Sequence, residues 1–161
     1  MIDKMPGILF VCTGNLYRSP LAAAFMRQKL ETEPGAWKVD SAGTWTLPGQ
    51  PASPETVHAA AKFGASLEGH RSQLVSADLL SRFDLVLVME KGHKEALDQE
   101  FPVFSAKTHL ISYVIDQINY DIPDPVHSGQ EIAVLASDIF KLVERGYKAI
   151  CELATANSDT G

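Results

Sequence analysis

The sequence predicts an α/β fold: a single domain with a mostly four-stranded parallel sheet flanked by helices. Two observations carry that prediction. Short continuous apolar runs, Ile8-Leu9-Phe10-Val11 and Asp84-Leu85-Val86-Leu87-Val88-Met89, read as strands buried on both faces. Helical segments separate the strands, and such alternation builds parallel sheets with right-handed crossovers. The 161 residues suit one domain of this kind, with enough chain to bury a core.

The elements follow in order. Ile8 to Val11 is the first strand. Ser19-Pro20 then opens a helix, Ser suiting the N-cap and Pro the first turn. This helix runs to about Thr32, with Leu21, Phe25 and Leu30 among its apolar residues, and Pro34-Gly35 ends it. Trp37 to Ser41 alternates like a second strand. Residues 42–52, AGTWTLPGQPA, form a Gly- and Pro-rich surface loop. Ser53-Pro54-Glu55 repeats the cap-then-proline signal and starts a second helix through Phe63, stopped by Gly64. Asp84 to Met89 is the clearest buried strand, and residues 90–100, EKGHKEALDQE, are polar with helical character. A further strand is expected near Lys107–Ile111. Asn119–Gly129, NYDIPDPVHSG, is a loop by its prolines and turn formers. An amphipathic helix from Glu131 to Leu153 closes a domain expected to span 1–153, followed by a flexible tail at 154–161.

Composition narrows the function. The net charge of -6 opposes a general nucleic-acid or membrane-surface binder, since both attract basic patches. No stretch approaches the roughly 20 apolar residues that span a bilayer, so no membrane insertion is expected. The first residues, MIDKMPG, carry no apolar signal region. Two cysteines, Cys12 and Cys151, cannot build a disulfide framework, and the expected compartment is a reducing cytoplasm. The histidines at 58, 70, 93, 109 and 127 are scattered, none at ligand spacing with another His or a Cys. Neither metal nor cofactor is expected.

The stretch FVCTGNLYRSP, residues 10–20, concentrates the chemistry. A bare Cys-x5-Arg spacing carries little weight, but its context carries more. Cys12 follows a buried strand at the carboxyl end of the sheet, where such folds bind ligands. The stretch includes Gly14 and ends at a helix N-cap. Successive backbone N–H groups then face a concavity at the positive end of a helix dipole, which suits a tetrahedral dianion. Arg18 adds a guanidinium clamp, and the same field favours a nucleophilic thiolate on Cys12. The competing reading is a small buried cysteine and a surface arginine.

This stretch resembles the active-site loop of the low-molecular-weight protein tyrosine phosphatases of bacterial type. Four further segments resemble the family in family order. Ser41-Ala42-Gly43-Thr44 resembles the segment after its second strand, and His70-Arg71-Ser72 the turn before its third. Asp84–Glu90, DLVLVME, resembles the third strand and exit, and Asp124-Pro125 the general-acid loop. The resemblance implies phosphotyrosine hydrolysis through a cysteinyl-phosphate. Cys12 would be the nucleophile, Arg18 and the loop amides the phosphate cradle, and Asp124 the general acid and then base. Thr13, Gly14, Asn15, Leu16, Tyr17, Ser19 and Trp45 would bind substrate, with Ser19 donating to the Cys12 sulfur. Asn15 would support the loop with Ser41 as partner. Phosphotyrosine proteins are the implied partners, among them a bacterial tyrosine kinase of exopolysaccharide control, for a monomer or weak dimer.

The sequence also departs from the family. Many relatives carry a second Cys beside the Arg, where this chain has Tyr17. They carry an aromatic soon after Asp-Pro, where this chain has Val126-His127. Trp45 is either a replacement wall or a partly buried loop anchor. Leu16 resembles the aliphatic residue of tyrosine-specific relatives, whereas Thr13-Gly14-Asn15 resembles the phosphoarginine branch, so a protein-arginine phosphatase is one alternative. An arsenate reductase on the same fold is another, but it needs relay cysteines that a lone Cys151 does not supply. A phosphotyrosine-binding module without catalysis is the third, and would be expected to lack Cys12, Arg18 or the acid.

Overall fold

The computed structural model describes residues 4–160. Its sheet has the order β2-β1-β3-β4 with every neighbouring pair parallel. The strands are β1 (Gly7–Cys12), β2 (Lys38–Gly43), β3 (Leu85–Val88) and β4 (Thr108–Leu110). Helix α1 (Arg18–Leu30) connects β1 to β2. Helices α2 (Pro54–Ala61) and α3 (Ala77–Ser81) lie between β2 and β3, and α4 (Lys91–Glu100) with a 3₁₀ segment leads to β4. Helices α5 (Ile111–Asp116), α6 (Pro125–Ser128) and α7 (Ile132–Thr160) complete the chain.

Burial on both faces explains why β1 shows no polar alternation. Ile8, Phe10 and Cys12 enter one core with Leu21 and Phe25 of α1 and Leu135 and Ile139 of α7. Leu9 and Val11 enter a second core with Leu79, Leu80 and Leu97 of α3 and α4. Each fully buried side chain of this size contributes about 1.5–3 kcal/mol, so the inner strand is the firmest part of the fold. Cys12, at its carboxyl end, is anchored accordingly.

The structure corrects four expectations. Strand β2 runs to Gly43 rather than stopping at Ser41. The loop 119–129 contains the short helix α6, capped by the Asp124 side chain. Ser19 is not an N-cap: Tyr17 holds that position and Ser19 lies inside the first turn of α1. The expected flexible tail is helical as far as Thr160, the last described residue, because Ala154 and Ser158 continue the buried face of Ile150. Asn157 Nδ2 donates to the Asp84 carbonyl at 3.0 Å, and Lys4 Nζ donates to the Ser158 carbonyl. Those contacts fix the last turns against the amino edge of the sheet.

Candidate active site

The loop 13–17 leaves the end of β1 and turns at once into α1. The end of β2 grips its start: Thr44 N donates to the Cys12 carbonyl and Trp45 N to the Thr13 carbonyl, each at 3.0 Å. Glycine is needed at 43, because a Cβ there would lie 2.5 Å from the Thr13 carbonyl oxygen. Asn15 is fully buried with φ of 58°, a left-handed conformation that asparagine tolerates better than most residues. Its Nδ2 donates to Ser41 Oγ at 2.8 Å and to Ser19 Oγ at 2.9 Å. Its Oδ1 accepts the Gln73 amide at 3.0 Å, and its carbonyl accepts from His70 Nε2 at 2.8 Å. A carbonyl only accepts, so the His70 proton is on Nε2. Burial pushes the His70 pKa below its ordinary value, which keeps that neutral form. The loop's curvature is therefore imposed from beneath by four hydrogen bonds.

Ser19 Oγ lies 2.9 Å from Cys12 Sγ. Ser19 Oγ accepts from Asn15, and its one hydrogen has two acceptors in reach, the Ala42 carbonyl at 3.4 Å and the nearer Cys12 sulfur, which it favours when the sulfur is ionised. Arg18 is only 2% exposed, and it opens α1. Its Nη1 donates to Glu90 Oε2 at 2.6 Å and to the Ile122 carbonyl at 2.8 Å, and its Nη2 lies 3.5 Å from Asp124 Oδ2. One edge of the guanidinium is thus committed to the scaffold. Asp124 splits its carboxylate in the same way. Oδ1 accepts the Val126 amide at 3.0 Å and caps α6, while Oδ2 is the oxygen turned toward Arg18.

These groups meet in a cleft of about 570 Å³. Cys12, Thr13, Gly14 and Arg18 lie at its base, and Asp124 lines it from the acid loop. Its walls are largely apolar: Leu16, Tyr17, Trp45, Leu47 and Val126. The loop carrying Trp45 and Leu47 is tied down by Ser72, which donates to the Leu47 carbonyl at 2.6 Å and accepts the Gln50 amide at 3.0 Å. Trp45 itself is 82% exposed, so it is a wall at the mouth and not a buried anchor.

Residues 7–158 match the family model described as low molecular weight phosphotyrosine protein phosphatase. The chain belongs to the low molecular weight protein-tyrosine-phosphatase family. It is similar to a putative low molecular weight protein-tyrosine-phosphatase of Klebsiella pneumoniae, 36% identical over 138 residues, which are 86% of this chain and 90% of that one. The solved structure of YwlE arginine phosphatase from Geobacillus stearothermophilus matches with a TM-score of 0.81 at 29% identity, covering 91% of this chain and 94% of that chain. The tyrosine phosphatase Wzb from Escherichia coli, in complex with sulphate, matches with a TM-score of 0.78 at 30% identity, covering 91% and 99%.

Against this phosphatase family, the structure brings the sequence-predicted residues together in two layers. Cys12, Thr13, Gly14, Leu16, Tyr17, Arg18, Trp45 and Asp124 line the cleft. The side chains of Asn15, Ser19 and Ser41 lie buried under the loop and bond one another, and of the three only Ser19 reaches a cleft residue, at Cys12 Sγ. Sequence reasoning missed Thr46, Leu47 and Gln50 in the wall, and Gln73, Glu90 and His93 as partners of the loop. A signal existed for the last two. Glu90-Lys91-Gly92-His93 sits where a buried strand passes into a helix, at the same carboxyl edge as Cys12.

Proposed function

We propose that this chain hydrolyses phosphotyrosine in proteins through a phosphoryl group carried on Cys12. The observation that carries the reading is the convergence of Cys12, Arg18 and Asp124 on one apolar-walled cleft. The Cys12 thiolate attacks phosphorus in line, and the bond from phosphorus to the tyrosine oxygen breaks. Asp124 Oδ2 gives its proton to the leaving oxygen. Arg18 Nη2 and the amides of 13–18 hold the equatorial oxygens, where charge accumulates. Asp124, now ionised, takes a proton from water, whose oxygen attacks phosphorus. The sulfur–phosphorus bond breaks, and inorganic phosphate leaves with the thiolate restored. Ser19, 2.9 Å from Sγ, stabilises negative charge on sulfur and so eases its departure in this second step.

Leu16, Tyr17 and Trp45 supply an apolar slot suited to a phenyl ring. A phosphoserine is too short to bring its phosphorus to Cys12 while its backbone stays outside such a slot. A guanidinium would be poorly served by Leu16, which offers no hydrogen-bond acceptor. Partners of this kind include an autophosphorylated tyrosine kinase. Among the described residues no helix is long and apolar enough to cross a membrane. The test is a panel of phosphotyrosine, phosphoserine and phosphoarginine peptides in chelator-treated buffer, with Cys12→Ser as control. The reading predicts hydrolysis of the phosphotyrosine peptides only. Preference for phosphoarginine would transfer the assignment to that substrate.

A further inference from the structure

His93 has no part in the chemistry above, yet it is polar, 6% exposed and aimed at the phosphate loop. It lies in the first turn of α4, immediately after β3. Burying an imidazole is costly unless both nitrogens find partners. Here both do. The Glu90 amide donates to Nδ1 at 3.1 Å, so Nδ1 is the acceptor and the ring proton is on Nε2. That Nε2–H then donates to Thr13 Oγ1 at 2.8 Å.

The same junction reaches the rest of the site. Glu90 Oε2 accepts from Arg18 Nη1 at 2.6 Å. Met89 O accepts the Ile122 amide at 3.0 Å, and Lys91 N donates to Asp121 Oδ1 at 2.8 Å, so the junction also holds the acid loop. Residues 89–93 therefore touch the residue after Cys12, the arginine that ends the loop, and the segment that presents Asp124. We infer that His93 is a positioning residue: through the Nε2–H tautomer it fixes Thr13, and with Glu90 it sets the spacing between Cys12 and Arg18.

The inference rests on the reading of Cys12 and Arg18 as the phosphate site. Burial first, and the Arg18 charge second, keep His93 neutral against the opposing pull of Glu90, Asp121 and Asp124. The neutral form is the working one, because a proton on Nδ1 would confront the Glu90 N–H.

Two isosteric variants separate positioning from helix capping. His93→Asn keeps an acceptor near Nδ1 but is too short for Thr13. His93→Gln puts an amide NH2 near Nε2 and keeps the reach. Both are compared with Thr13→Val and the double variant His93→Asn/Thr13→Val, by kcat, KM and calorimetric affinity for inorganic phosphate. His93→Asn is expected to lose kcat by on the order of 10- to 100-fold, the scale of sub-ångström to 1 Å misplacement, and to bind phosphate more weakly. His93→Gln should restore most of both. Thr13→Val should reproduce the loss, and the double variant should lose no more than either single one. Full phosphate affinity in His93→Asn, or additive losses, or equal losses in the Asn and Gln variants, would overturn the inference. Phosphate affinity tells this failure from failure of the phosphatase reading, in which the wild type binds phosphate in the cleft without turning over any peptide.

Discussion

Replacing Asn15 tests whether the loop is held from below. Asn15→Ala deletes the donor to Ser41 and Ser19 and the acceptor of the Gln73 amide, all in buried or half-buried surroundings. A buried group left without a partner costs about 1–3 kcal/mol, and two such groups, Ser41 Oγ and Gln73 N, have few alternatives. The expected destabilisation is therefore on the order of 3 kcal/mol. Alanine also meets the left-handed backbone, which costs an ordinary residue about 1–2 kcal/mol. Glycine avoids that strain but loses more chain entropy on folding. Asn15→Gly should accordingly be less damaging than Asn15→Ala by about 1 kcal/mol. Urea unfolding measures both, and calorimetric melting should show Asn15→Ala lowered by roughly 8–20 °C, from about 4–5 kcal/mol in all at 2–4 °C per kcal/mol for a chain of this size. An Asn15→Ala variant within about 0.5 kcal/mol of wild type, the range of an ordinary surface change, would refute the argument. So would an Asn15→Gly variant that is the worse of the two.

Asp124→Ala should slow hydrolysis of aryl phosphates with basic leaving groups by on the order of 10² to 10⁴, and p-nitrophenyl phosphate far less; equal losses across leaving groups would make Asp124 structural. Peroxide should inactivate the enzyme without linking Cys12 to Cys151. Cys151 shares a surface groove with Trp37, at the amino edge of the sheet, and five strand residues separate that edge from Cys12, roughly 17 Å, against the 7 Å limit for a disulfide. Burial also pushes the Cys151 thiol up to about 11, so iodoacetate at neutral pH should label it last; an intramolecular disulfide in the intact mass would contradict both statements. Burial holds His70, His93 and His109 below the ordinary value of 6.5. The unfolded chain thus binds their protons first, and stability should be full above pH 6.5 and fall as the pH drops below it. The urea midpoint should be lower at pH 5 than at pH 7, and His109→Gln should flatten that slope; a midpoint that rises on acidification would reverse the sign.

Much of this was legible in the sequence because parallel strands buried on both faces are continuous apolar runs, as at 8–11 and 85–88. The site's base was legible for a related reason: a strand, a glycine and a helix start leave few paths for a loop. Helices α3, α5 and α6 were not, since five, six and four residues are too few to show a period, and tertiary contacts fix them. The tail misled because Ala154 and Ser158 are small and weakly apolar, although they repeat every four residues after Ile150. Ser19 misled for a functional reason. A serine before proline ordinarily caps a helix, but here its hydroxyl is turned to Cys12 and Asn15 instead. His93 was hidden because its partner, Thr13, lies 80 residues away in the chain.

The most direct test of the central claim is to trap the intermediate. Wild type would be mixed with a phosphotyrosine peptide, and wild type and Asp124→Ala with p-nitrophenyl phosphate, each quenched within the first turnover, digested and examined by mass spectrometry. The account predicts one phosphoryl group on Cys12, more abundant in Asp124→Ala when an activated aryl phosphate is the substrate, because the base that drives its hydrolysis is gone. It predicts no such species in Cys12→Ser on that timescale. A phosphoryl group on another side chain, or steady turnover by Cys12→Ser, would contradict it.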